Sequence, residues 1–302
     1  MGLDSNEKIL TDYNDVFADI MNVFLYGGKR VIKEDQLENS KDKSQYKADG
    51  KLHEQERDVS KFYNGKEIRI AFLGIEHQNY EDSYMPLRVI SYDGSAYRAQ
   101  LLNQNGKNRN QKPYPVITLV LYFGTKHWSA GKSLYEVLDV PEEIKGYVND
   151  YKINLVEVAF LNQKQIDLFQ SDFKIIADFF VQKRKYEDYV PSDYPIKHVD
   201  AVLKMMEIMV GDDRYPQVLD ELNKERDKLK KGEITMCEVY DKIEGRGIQK
   251  GIQQGIQQGI QQERANTEKE RKRADDEHKR AEAANKEIEH LKKILLDNKI
   301  AF

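Results

Sequence analysis

One cysteine, Cys237, stands in a chain of 302 residues, which excludes an internal disulfide and fits a reducing cytoplasm. No apolar run approaches the ~18 residues that a membrane span needs. The opening residues, Met1 to Asn6, carry neither a charged-then-apolar leader nor a myristoylation pattern. A cytoplasmic location without a membrane partner is expected. There is no G-x-x-x-x-G-K-[ST] loop, so no nucleotide cofactor is expected. The six histidines lack metal-ligand spacing, and Cys237 has no histidine nearby to make it a nucleophile. A formal net charge of −4 leaves no global basic signature, so any nucleic-acid surface has to be local.

With 39% apolar and 33% charged residues, the chain can build one sizeable core and still carry an extended, solvated part. The most informative stretch runs from Arg57 to Gln78. Two strand-like runs flank Asn64-Gly65, the signature of a β-hairpin. The second run is almost wholly apolar from Ile68 to Ile75, as in a strand buried on both faces. Glu76 at its end needs a partner for its charge, and a hard divalent cation is one that takes carboxylate oxygens. Side chains alternate along a strand, so Glu76 and Gln78 share a face and His77 points away. An acidic residue on the first strand, Asp58, followed by Glu76-His77-Gln78 on the second outlines a metal-dependent nuclease site. Glu54 and Glu56 are rival ligands, and Glu56 shares the strand face of Asp58.

This outline resembles the PD-(D/E)xK nuclease superfamily. Longer phrases are more specific: Phe17-Ala18-Asp19-Ile20-Met21-Asn22, Glu56-Arg57-Asp58-Val59, Met85-Pro86-Leu87-Arg88, Tyr92-Asp93-Gly94 and Tyr114 to Gly124. Together, from about Asp15 to Leu161, they resemble the bacterial recombination-promoting nuclease (Rpn), or putative transposase, family. The resemblance implies a restriction-endonuclease-like α/β core and metal-dependent cleavage of DNA. It puts Asp58, Glu76 and Gln78 in catalytic positions, with Asp58 and Glu76 binding Mg²⁺ (or Mn²⁺ or Ca²⁺). An acidic residue from the first helix often completes such a site, and Asp19 is the candidate. Gln78 stands where the superfamily usually has lysine. It can hydrogen-bond a water but adds no charge.

The hairpin register bears on this reading. A strict two-residue turn at Asn64-Gly65 pairs Tyr63 with Lys66 and Asp58 with Ala71, leaving Glu76 five residues further on, roughly 16 Å away. A wider loop or a bulge is therefore expected.

Elsewhere, apolar residues at helical spacing predict a helix over 12–26 that stops at Gly27-Gly28. Its acids Asp12, Asp15 and Asp19 fall on one face, where a solvated role competes with ligation. Residues 39–56 read as a polar loop or lid. Residues 85–102 have partial helical periodicity and carry Arg88, Arg98 and Gln100, donors that could hold a phosphate. The Asn/Gln-rich stretch 102–112, with Lys107 and Arg109, reads as a loop able to make non-specific phosphate contacts. Val116 to Phe123 reads as a central strand, with a helix at 133–138 and a further strand at 153–161. Trp128 reads as a packing anchor or a base-stacking residue.

Strands alternating with helices indicate a mixed α/β sheet, ending near residue 195. Residues 165–181 are amphipathic, and 196–244 read as helical, with four methionines from Met205 to Met236 forming either core or a partner groove. In 245–262, glycine and isoleucine recur every four residues. That pattern makes a stripe beside a ridge and a helix that is weak alone but firmer against another copy. Residues 263–302 are a charged helix ending in a short heptad seam at Ala281, Ala284, Ile288, Leu291 and Leu295. The expected protein is a DNA endonuclease with a homo-oligomerising coiled-coil tail, associated with recombination or mobile elements. The alternative is a catalytically weak nuclease fold acting as a DNA-binding or assembly module.

Overall fold

The computed structural model describes residues 10–39, 43–48, 51–56, 59–63, 68–75, 81–103, 112–186, 189–211, 214–229 and 233–297. The chain forms two compact units, Met1–Ile243 and Glu244–Phe302.

Helix α1 (Asn14–Tyr26) buries every residue from Val16 to Val23 and ends on Gly27, whose φ of +60° is the left-handed cap that favours glycine. Strands β1 (Leu37–Asn39), β4 (Val59–Tyr63) and β5 (Ile68–Ile75) pair antiparallel, and β6 (Val116–Tyr122) and β7 (Asn154–Glu157) continue the sheet in parallel. The sheet order is β1-β4-β5-β6-β7. Helix α2 (Met85–Asn103) makes the crossover from β5 to β6, the connection that parallel pairing requires.

The alternation along β6 explains the layers. Leu119, Leu121 and Phe123 join α1 and α5 (Phe173–Tyr186) in one core. Val120 and Tyr122 point the other way and pack with Met85, Val89 and Tyr92 of α2 and with Trp128. Trp128 is only 4% exposed, so it packs and is not available to stack on a base. Lys61 interrupts the apolar face of β4 yet is fully buried. Its Nζ reaches Asp12 Oδ1 at 3.1 Å and Asn39 Oδ1 at 2.5 Å, which meets the buried charge.

The core continues into α6 (Val199–Val210), α7 (Arg214–Leu229) and the start of α8 (Met236–Asp297). Met205, Met206 and Met236 are wholly buried, so these methionines are core. A short ribbon of β8 (Pro195–Ile196) and β9 (Ile234–Thr235) brackets this region, which is not helical throughout.

Two further elements differ from the pattern in the sequence. Residues 39–56 include a hairpin, β2 (Lys43–Ala48) with β3 (Lys51–Glu56), whose strands are joined by the two residues Asp49-Gly50. That dipeptide is a strong hairpin signal hidden in polar composition. The amphipathic stretch 165–181 divides between α4 (Gln163–Leu168) and α5, and α4 opens with a capping box of Asn162 and Gln165. A short helix, α3 (Leu134–Val137), stands where a helix was expected.

In the second unit α8 is helical to Asp297, and Ile248, Ile252, Ile256 and Ile260 are 47–58% exposed. A Cβ added at Gly251, Gly255 or Gly259 would meet nothing within 4 Å. No helix among the described residues is long and apolar enough to cross a membrane.

Candidate functional site

In α/β sheets ligands favour the carboxyl ends of the strands. Here those ends are aligned: Ile75 of β5 pairs with Tyr122 of β6, and Tyr122 with Glu157 of β7. Tyr122 is buried and its ring meets Trp128 edge-on, with centroids 5.2 Å apart. Burial first, then the charges of Glu81 and Glu157, push the Tyr122 phenol above its ordinary pKa.

Both carboxylates are tied to the turn that follows β6. Glu81 accepts hydrogen bonds from Ser129 N at 3.0 Å, Ser129 Oγ at 2.7 Å and Ala130 N at 2.9 Å. Burial alone would raise the Glu81 carboxyl pKa, but these donors outweigh it and hold it low. Glu157 accepts Trp128 N–H at 2.7 Å and meets His127 Nδ1 at 3.1 Å. Beneath, the buried Asp93 of α2 accepts from Thr118 Oγ1 at 2.6 Å and from the Tyr151 hydroxyl, which clamps α2 to the sheet.

Asp58, Glu76 and Gln78 lie outside the described residues, as do Lys107 and Arg109. Their described neighbours fix the frame around them. Val59, which follows Asp58, pairs with Phe72; Ile75 precedes Glu76. Tyr63 pairs with Ile68, so the connection comprises residues 64–67 and not a two-residue turn. The wider loop moves the register by two positions. Three residues, roughly 10 Å of strand, now separate Phe72 from Ile75.

Asp19 is 3% exposed and both its oxygens are engaged. Oδ1 pairs with the Arg30 guanidinium, and Oδ2 accepts Gln170 N at 2.8 Å and Ser171 N at 2.7 Å. Arg30 also donates to Leu168 O at 2.9 Å. This set joins α1 to the α4–α5 connection, so metal ligation by Asp19 would require Arg30 to give way. Asp19 lines a cavity of about 750 Å³ together with Asp15, Arg30, Asp172, Tyr194 and Lys197.

The acids of that cavity are also spoken for. Asp15 contacts Lys197 Nζ at 2.8 Å and His198 Nε2 at 2.9 Å, and His198 stacks on Tyr13 with centroids 3.8 Å apart. Burial raises the Asp15 pKa, but the bonds and charges of Lys197 and His198 bring it below the ordinary value. Asp172 accepts backbone N–H groups of Lys197 and His198 at 3.0 and 2.6 Å, yet burial dominates and raises its pKa. Asp12 and Asp15 are thus partners of Lys61, Lys197 and His198 and not merely a solvated face.

Among the candidate phosphate contacts, Arg88 is bound to Asp82 at 2.8 Å. Burial opposes its charge, but hydrogen bonds to Asp82 and Tyr92 raise its pKa above the ordinary value. Arg98 is exposed on α2. Gln100 is 5% exposed and its carboxamide clamps the backbone of Tyr114, at 2.9 Å to N and 3.2 Å to O, so it steers the chain into β6. Glu81, which precedes α2, and Glu157, the last residue of β7, have no motif signature; only the fold brings both to the turn after β6.

A family model described as putative transposase, YhgA-like, matches residues 41–190. No curated protein and no solved structure shows significant similarity to the chain.

Proposed function

Because the chain belongs to the YhgA-like putative transposase family, we propose that it is a metal-dependent endonuclease hydrolysing DNA phosphodiester bonds. Asp58 and Glu76 are the metal-binding carboxylates in this reading and Gln78 positions the attacking water. The observation that carries it is the β4–β5 register. The wider loop reduces the offset between the hairpin strands from five residues to three, roughly 16 to 10 Å of strand, which brings the two positions closer.

Two carboxylates suit a hard divalent cation such as Mg²⁺. A bound cation supplies charge to polarise the phosphate and lowers the pKa of water. The chain's own part in this reading is to bring the two carboxylates together from the paired strands β4 and β5 and to fix the turn after β6 through Glu81. A nuclease-like core within the mixed α/β fold is part of the proposal. The test is cleavage of plasmid and linear DNA with Mg²⁺, Mn²⁺ or Ca²⁺ by wild type, Asp58→Ala and Glu76→Gln. Equal activity in folded wild type and variants would sink the assignment.

The second reading is a nuclease fold serving as a DNA-binding or assembly module. The long exposed helix α8 and the missing lysine favour it. A wild-type protein that binds DNA but never cuts it would promote this alternative.

A further inference from the structure

From residue 248 to residue 294 every position of α8 is exposed. A helix draws most of its stability from an apolar face packed on a neighbour, and Gly251, Gly255 and Gly259 weaken this one further. Pairs along the helix, such as Lys272 with Glu268 at 3.1 Å, support it only weakly. Near the two ends of the stretch Ile256, Ile260, Ile288 and Leu291 stand 47–58% exposed.

One spacing connects those ends. The alternating three- and four-residue steps of Ala281, Ala284, Ile288, Leu291 and Leu295 run backwards without a break to Ile260 and Ile256. Residues 256–295 therefore carry a single heptad seam. Its ends are apolar, while its middle holds Glu263, Glu270 and Glu277, all at the same heptad position.

These glutamates discriminate between ways of pairing with a second copy. In a parallel, in-register pair each faces its own counterpart, and like charges meet inside the seam. In an antiparallel pair each faces the other seam position instead. Setting Ile260 opposite Leu291 of the second copy brings every layer into register, with Ile256 opposite Leu295. Glu263 then meets Ile288, Glu270 meets Ala281, and Glu277 meets Ala274. Arg280 and Arg273 directly precede those two alanines, so each carries a cation to the other copy's glutamate. The seam thus supplies its own complement, apolar ends against apolar ends and acid beside base, and a two-fold axis repeats each contact.

We propose that α8 pairs antiparallel with α8 of a second copy, with Ile260 of each opposite Leu291 of the other. This gives the tail's self-association an orientation and a register, and it does not depend on the nuclease reading. At 1.5 Å per residue the register sets residue 256 of one copy about 60 Å from residue 256 of the other, whereas parallel pairing sets them side by side.

The test is thiol exchange between full-length variants that carry one cysteine each. Cys237, the native cysteine, is replaced by serine, and Ile260→Cys and Leu291→Cys are introduced separately into that background. Both new positions are exposed. Cys237 lies outside the seam, and Cys237→Ala serves if serine lowers the melting temperature of the first unit. The two proteins are mixed in equal amounts in a glutathione buffer and resolved by non-reducing electrophoresis. The mixed disulfide should form in excess of random pairing. Neither variant alone should cross-link, because like thiols stand roughly 45 Å apart in this register. Disulfides within each variant alone would overturn the antiparallel orientation. An oligomer that yields no mixed disulfide would overturn the register, and a chain that sediments as a monomer at all concentrations would overturn the pairing itself.

Discussion

The ring of Tyr122 fills the space where a side chain on Gly124 would begin. A Cβ at Gly124 would lie 2.1 Å from the Tyr122 Oη and Cζ atoms. The turn that leaves β6 can therefore close on the ring only if residue 124 is glycine. The same turn carries His127 and the Ser129 and Ala130 donors that bind Glu81.

Gly124→Ala should destabilise the first unit by about 2–3 kcal/mol, the cost of forcing extra volume into a packed core. Chemical unfolding would read this as a lower midpoint. Tyr122→Phe in the same background should not restore it, since the ring itself remains against the new methyl. Tyr122→Ala should relieve the clash while leaving a cavity.

Glu81 makes stability depend on pH. Its folded-state pKa is lowered, so its contribution is present above the unfolded value, roughly pH 4, and is lost as pH falls through the folded value. Glu81→Gln should lower the melting temperature at pH 7 and converge on wild type as the pH falls below about 4. Paired melting curves across pH check this. A constant difference between the two proteins would mean that the carboxylate charge is not what holds the turn.

Asp19 and Arg30 separate scaffold from metal ligand. A carboxylate held by a guanidinium and two backbone N–H groups predicts that Asp19→Ala costs about 3 kcal/mol through an unpaired, partly buried arginine. Metal affinity measured on the folded variant should not change. A selective loss of metal binding with unchanged stability would restore Asp19 to the metal site.

The α8 helix presents Ile288, Leu291 and Ile294 at 42–52% exposure, which supports self-association through the tail. The full chain should sediment as an oligomer, and Ile288→Glu with Leu291→Glu should reduce it to a monomer without altering the melting of the first unit. A wild type that sediments as a monomer at all concentrations would reject the proposal.

Much of this architecture could be read from residue order. Gly27 after an apolar 3.6-residue pattern marked the end of α1, and the largely apolar runs 68–75 and 116–122 marked β5 and β6. Both signals are local. Partnership was not legible. Nothing near Lys61 in sequence indicates that Asp12 and Asn39 meet its charge, and Asp19 finds its N–H donors about 150 positions away. The wider connection between Tyr63 and Ile68 was legible only by arguing against the local two-residue signal of Asn64-Gly65, from the separation that a strict turn would impose on Asp58 and Glu76. Nor does the order of residues show that the ring of Phe160 meets both His127 and Arg184.

The most direct measurement is a cleavage assay on plasmid DNA with Mg²⁺, comparing the full chain with Glu76→Gln, a substitution that keeps the side-chain size and removes its charge. Cutting by wild type alone, abolished by EDTA and restored by metal, is the predicted result. Equal cutting by the two proteins, or none by wild type under any of the three metals, would contradict the account.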